Sequence, residues 1–185
     1  MRLPRLRAAL AAGALLALGG CAGVPVVDNV YYDVAYVPFE YSGEVPVLVK
    51  GDPYRLSQAE TERAAVAALQ GATFGAATHL VAAPEGAAPV RRLVLLFNPP
   101  PALGSFQLCS RPAPPDTAAT APAARVAVIA ALCRGDKAMT YAEGSIASGA
   151  GPTGPEFRDG VVRFALALMP PRNPGDTPGG GEFPN

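Results

Sequence analysis

The sequence predicts an α+β domain: a mixed or antiparallel sheet of about four to five strands with two packed helices. Three observations carry that expectation. Within Arg91 to Phe97 and Arg125 to Cys133, the residues Leu93 to Phe97 and Val126 to Cys133 are apolar at successive positions, as strands covered on both faces are. Ser57-Gln58-Ala59-Glu60 and Thr153-Gly154-Pro155-Glu156 both fit the capping box, in which a hydroxyl and a carboxylate satisfy the orphan amides of a helix start. Arg134-Gly135-Asp136-Lys137 reads as a tight turn, which would fold the second apolar run back on a more polar return strand.

The elements follow in order. Val30 to Tyr41 is rich in aromatic and β-branched residues, and five of the six tyrosines lie between positions 31 and 54. Such a cluster can be an adhesive surface for a partner or glycan, or an edge strand that packs its rings on the domain. Tyrosine suits strands and Pro38 suits an edge or bend, so the packing role is favoured. Glu44 to Lys50 places Val45, Val47 and Val49 on one alternating face, and Gly51-Asp52-Pro53 ends it. A helix then runs from the Ser57 cap to about Gln70 and stops at Gly71. Arg91 to Phe97 is a central strand ended by Asn98-Pro99-Pro100-Pro101, and Gly104 to Cys109 is expected to form a short strand. Ala138 to Ala147 returns from the turn. In the last helix Phe157, Val161, Phe164, Ala165 and Leu168 share one face. Pro170-Pro171 terminates it, and residues 173–185 are expected to be disordered.

Composition narrows the function. Fifteen basic side chains balance fifteen acidic ones. Three of the basic ones, Arg2, Arg5 and Arg7, lie in the first 20 residues, which leaves twelve against fifteen and a net charge near −3 for the rest. No basic patch carries interleaved aromatics, so nucleic acid is not an expected partner. Proline and glycine cluster at 98–104, 111–123, 149–155 and 170–184, which reads as long loops and a tail around a modest core.

The first residues have a separate logic. Arg2, Arg5 and Arg7 precede an apolar run of 11 residues, Ala8 to Leu18, and then Gly19, Gly20 and Cys21. This is the plan of an export signal, and the run is shorter than the roughly 20 residues a membrane span requires. Leu18-Gly19-Gly20-Cys21 resembles the lipobox of bacterial lipoprotein precursors. That resemblance implies removal of residues 1–20 and acylation of Cys21, because only a thiol can take the thioether-linked diacylglycerol. Each buried methylene contributes about 0.8 kcal/mol, and stable anchoring takes at least two chains. In that class an aspartate after the cysteine commonly retains the protein at the inner membrane. Ala22 stands there, so the resemblance implies an outer-membrane lipoprotein facing the periplasm. The implied division is residues 1–20 as signal, 21–43 as lipidated tether and edge segment, 44–170 as the α+β domain and 171–185 as tail.

Removing Cys21 from the count leaves Cys109 and Cys133. An even pair in an oxidising compartment favours a disulfide over two separate buried thiols.

Other motifs have simpler explanations. His79 is the sole histidine, and no nucleophile–carboxylate signature accompanies it. A zinc site would need ligands from one histidine and carboxylates, so no metal or cofactor is expected. Gly71-Ala72-Thr73-Phe74-Gly75 lacks the preceding strand of a nucleophile elbow. Arg134-Gly135-Asp136 matches an adhesion tripeptide but serves as a hairpin turn. Arg55, Glu60, Glu62 and Arg63 read as the solvated face of the first helix. The glycine-rich 144–154 lacks the lysine of a phosphate loop. Together with the lipobox, Leu95-Leu96-Phe97-Asn98-Pro99-Pro100-Pro101, Cys109 and Ala131-Leu132-Cys133-Arg134-Gly135-Asp136 resemble small uncharacterised envelope lipoproteins. The implied function is non-enzymatic: a membrane-anchored domain that binds an envelope protein, lipid or cell-wall partner. The competing expectation is a periplasmic hydrolase whose site is spread over loops.

Overall fold

The computed structural model describes residues 25–70, 78–84, 89–110, 124–172 and 174. The strands are β1 (Val26–Tyr32), β2 (Gly43–Lys50), β3 (Thr78–Ala82), β4 (Arg91–Phe97), β5 (Arg125–Arg134) and β6 (Lys137–Ala147). The helices are α1 (Gln58–Leu69) and α2 (Pro155–Leu168). The result is α+β, with a six-stranded mixed sheet in the order β1-β6-β5-β4-β2-β3. β2 pairs in parallel with both β3 and β4, and the remaining pairs are antiparallel.

Both helices cover one face of this sheet. α1 lies over β2 and β3, α2 over β6, β1 and β5, and the two helices touch. The alternating valines 45, 47 and 49 point into that layer with Leu93, Leu95, Phe97, Ala130 and Leu132, meeting Ala65, Leu69, Phe157, Phe164 and Leu168 from the helices. Each large side chain buried this way contributes about 1.5–3 kcal/mol.

The opposite face carries a second, smaller core. Val94, Leu96, Ile129, Ala131 and Cys133 meet Leu108 and Cys109 there. β4 and β5 are thus apolar on both faces because each face has its own cover.

Residues 105–108 form a 3-10 turn rather than the expected strand. Local polar bonds explain the change: the Gly104 amide donates to Gln107 Oε1 at 3.0 Å, and the Ser105 hydroxyl donates to Glu143 at 2.9 Å. A turn places Leu108 and Cys109 on the sheet, where an extended strand would carry them past it.

The helix starts differ in chemistry. Ser57 caps α1 by accepting from the Glu60 amide at 3.2 Å, and its hydroxyl donates to Glu60 Oε2 at 2.8 Å. α2 is capped at Gly154 with Pro155 at its first position and has no side-chain cap bond, so the expected Thr153 cap is not made. Proline already lacks one orphan donor and presets the helical φ, which lessens the need for a hydroxyl.

The sheet begins earlier than residue 44. β1 runs antiparallel to β6, from Val26 opposite Ser145 to Tyr32 opposite Thr140, with an irregularity between Asp28 and Tyr31. Gly144 makes this possible, since a Cβ there would collide with the Val26 carbonyl. Gly160 does the same for α2, where a Cβ would meet Ile146.

Candidate functional site

Cys21 and the leader lie outside the described residues, as do Gly71 to Gly75 and residues 175–185. The structure does place the start of the domain: Pro25 and Val26 enter at the outer edge of the sheet, alongside α2. Pro25, Val26, Val27, Arg163 and Ala167 line a shallow groove of about 420 Å³ there. A second groove of about 380 Å³ runs between α1 and β3, lined by Ala59, Glu62, Arg63, Val66 and Ala82 among others.

Cys109 and Cys133 are joined by a disulfide with Cα atoms 5.5 Å apart. Both are fully buried. The bond ties the segment after the 3-10 turn to β5.

Beside it lies a residue that sequence reasoning missed. Arg92 is only 2% exposed and is the cross-strand partner of Cys133. Its guanidinium donates to three backbone carbonyls: Cys109 at 2.8 Å, Pro89 at 2.9 Å and Gly135 at 3.1 Å. Burial pushes its pKa below the ordinary arginine value, but arginine remains charged. One cation thus pins the loop before β4, the β5–β6 hairpin and the disulfide segment to a single point. The signal was present as an arginine beginning an otherwise apolar strand, but only the fold shows which carbonyls converge on it.

The tyrosine cluster divides into two roles. The Tyr32 hydroxyl donates to Ala167 O at 2.7 Å, the Tyr36 hydroxyl to Pro170 O at 3.0 Å, and the Thr140 hydroxyl to Leu168 O at 2.7 Å. The last carbonyls of a helix have no intrahelical donor, so the Tyr32 and Thr140 hydroxyls replace solvent at the end of α2, and the Tyr36 hydroxyl holds the segment just after it. Tyr36 stacks on Tyr41 with centroids 6.0 Å apart. Tyr31, 44% exposed, stacks on Tyr141 at 4.8 Å on the disulfide side.

His79 sits on β3, the other outer edge, and is exposed. It lines neither groove. Glu60 is engaged with Ser57, Arg55 is exposed in the loop before α1, and Glu62 and Arg63 line the α1–β3 groove. Arg134-Gly135-Asp136 forms the β5–β6 turn, with Gly135 at φ +60°, as a two-residue hairpin with glycine first requires. Among the described residues no cluster of three or more His, Cys, Asp or Glu side chains is placed to hold a metal ion.

Two of the buried polar atoms that lack a hydrogen-bond partner among the described residues lie near the start of α2. The Tyr54 hydroxyl and Glu156 Oε2 make no hydrogen bond among the described residues. Burial, and then the charge of Glu156, push Tyr54 up to about 12. A phenol that holds its proton so firmly is no general base at neutral pH.

No family model and no curated protein matches the chain. Among solved structures it is similar to the PelC dodecamer from Paraburkholderia phytofirmans, with 12% identity, coverage of 79% of this chain and 98% of that one, and a TM-score of 0.47. No helix among the described residues is long and apolar enough to cross a membrane.

Proposed function

We propose that this chain is a lipid-anchored cell-envelope lipoprotein, held through Cys21 in the outer membrane and facing the periplasm, with a non-catalytic structural or binding role. The observation that carries the proposal is the order of the leader: three arginines, an apolar run of 11 residues, and Leu18-Gly19-Gly20-Cys21. The Cys109–Cys133 bridge supports it, because such bonds persist in oxidising compartments. The exposed position of His79, away from both grooves, supports a binding role over hydrolysis. The partner is an envelope protein or cell-wall component.

The test is metabolic labelling with radioactive palmitate, followed by fractionation. Wild-type chain should carry label and sediment with membranes. Cys21→Ala should lose the label and move to the soluble fraction, and an unchanged membrane distribution would falsify the anchor. In-cell crosslinking should then trap one recurring envelope component, and repeated recovery of monomer alone would count against a binding role.

A further inference from the structure

The lipid anchor and the first strand are very close in sequence, and that limits how the domain can sit. Cys21 and Pro25 are four positions apart. A fully extended chain spans at most about 3.6 Å per residue, so the tether reaches about 14 Å. A domain of this length is on the order of 40 Å across. The tether is therefore too short to let the domain present any side to the bilayer at will. The side that meets the membrane is the one where the chain enters.

That side has a suitable chemistry. Pro25 and Val26 enter at the outer edge of the sheet and share the groove with Arg163 and Ala167 of α2. Val26 is 40% exposed, and Leu166, adjoining Ala167 on the helix, is 45% exposed. The Arg163 side chain is exposed and makes no hydrogen bond or ion pair with the described residues. Asp159, one turn earlier, is occupied by Arg158 at 3.6 Å. Isolated exposed apolar side chains need no explanation. Here two of them flank a free guanidinium at the point where the tether delivers the bilayer. Arginine suits phosphate because its planar fork donates two parallel hydrogen bonds, while its stem lies along apolar surface.

We propose that the edge formed by the start of β1 and the outer side of α2 lies against phospholipid headgroups, with Arg163 on lipid phosphate and Val26 and Leu166 at the acyl boundary. This rests on the lipid-anchor reading of Cys21. It goes beyond it by fixing orientation: β3 and the α1–β3 groove point away from the membrane. β3 lies five strand spacings from β1, about 24 Å, which leaves that side open to periplasmic partners.

The test uses the full acylated chain reconstituted into phosphatidylethanolamine–phosphatidylglycerol vesicles. Two variants, Leu166→Cys and His79→Cys, are probed with a membrane-impermeant maleimide; Cys109 and Cys133 are bridged and buried, and an acylated Cys21 has no free thiol. Flotation with the vesicles reads the anchor independently of the label. The expected result is flotation of both variants, loss of labelling at position 166 and full labelling at position 79. Adding Arg163→Glu should restore labelling at 166 without releasing the protein. Flotation with equal labelling at both positions overturns the orientation while leaving the anchor intact. Failure to float overturns the anchor and the orientation with it.

Discussion

Arg92 shows how one side chain can organise a face of the sheet. It fills three backbone carbonyls from three separate segments, and hydrogen bonds from a charged donor contribute about 1.5–3 kcal/mol each where they are made. Arg92→Met keeps the volume but removes the donor from a buried carbonyl at Cys109 and from two half-buried ones at Pro89 and Gly135, so urea denaturation should show a loss of about 3 kcal/mol. Arg92→Lys should recover part of that loss, because it keeps the charge but not the fork. A second residue sets the acid limit. Asp33 accepts from Lys137 at 2.9 Å and from the Ala35 amide at 2.8 Å, and these bonds, led by the one from Lys137, hold its carboxyl below the usual range. A depressed native pKa gives stability that is present above the unfolded value near 3.9 and is lost as pH falls through the native one. Unfolding midpoints of the wild type should therefore drop below about pH 4, and Asp33→Asn should flatten that part of the curve while lowering stability at neutral pH.

At the scale of elements, the C-terminal end of α2 depends on hydroxyls borrowed from elsewhere in the chain. Tyr32→Phe and Thr140→Val each remove one donor from a helix carbonyl. Each should cost about 1 kcal/mol in chemical denaturation, with more for Thr140 because it is fully buried. Equal stability of both variants to wild type would show that water reaches those carbonyls. The helices and the central strands were legible in the sequence. α1 ends at Leu69 and α2 at Leu168, close to the expected limits, because caps, glycine and proline act over a few neighbouring residues. β4 matches its expected span for a similar reason: Leu93 to Phe97 is apolar at every position, and such a run is buried on both sides. Residues 105–108 depart from the expected strand because a short segment of mixed polarity does not say whether its bonds are made to its own side chains or to a neighbouring strand. The structure answers that through Gln107 and Glu143.

For the whole molecule, the disulfide closes a loop of 24 residues in separation. On the chain-entropy view this contributes roughly 3–4 kcal/mol by constraining the unfolded chain. Cys109→Ser with Cys133→Ser should lower the denaturation midpoint accordingly. Combined with Arg92→Met, the losses should be non-additive, since the bridge and the guanidinium hold the same segment. Strict additivity would mean that the two act on separate parts of the domain. The same scale explains why β1 belongs to the domain and not to a tether. Gly144 and Gly160 admit a strand and a helix at close range, and that proximity fixes where the chain enters the sheet, the premise of the proposed orientation.

By itself the sequence determined the class of fold, the limits of both helices and the doubly buried central strands, and it supplies the motif Leu18-Gly19-Gly20-Cys21 on which the proposed anchor rests. Each of these depends on periodicity, caps or a local recognition motif. Only the tertiary structure decided that β2 runs parallel to two neighbours, that the Tyr32 and Thr140 hydroxyls close α2, and that Arg92 joins three segments. Those features depend on which distant groups meet. Pairing partners and buried donors are chosen by the packing of the whole chain, and no short window of residues records them.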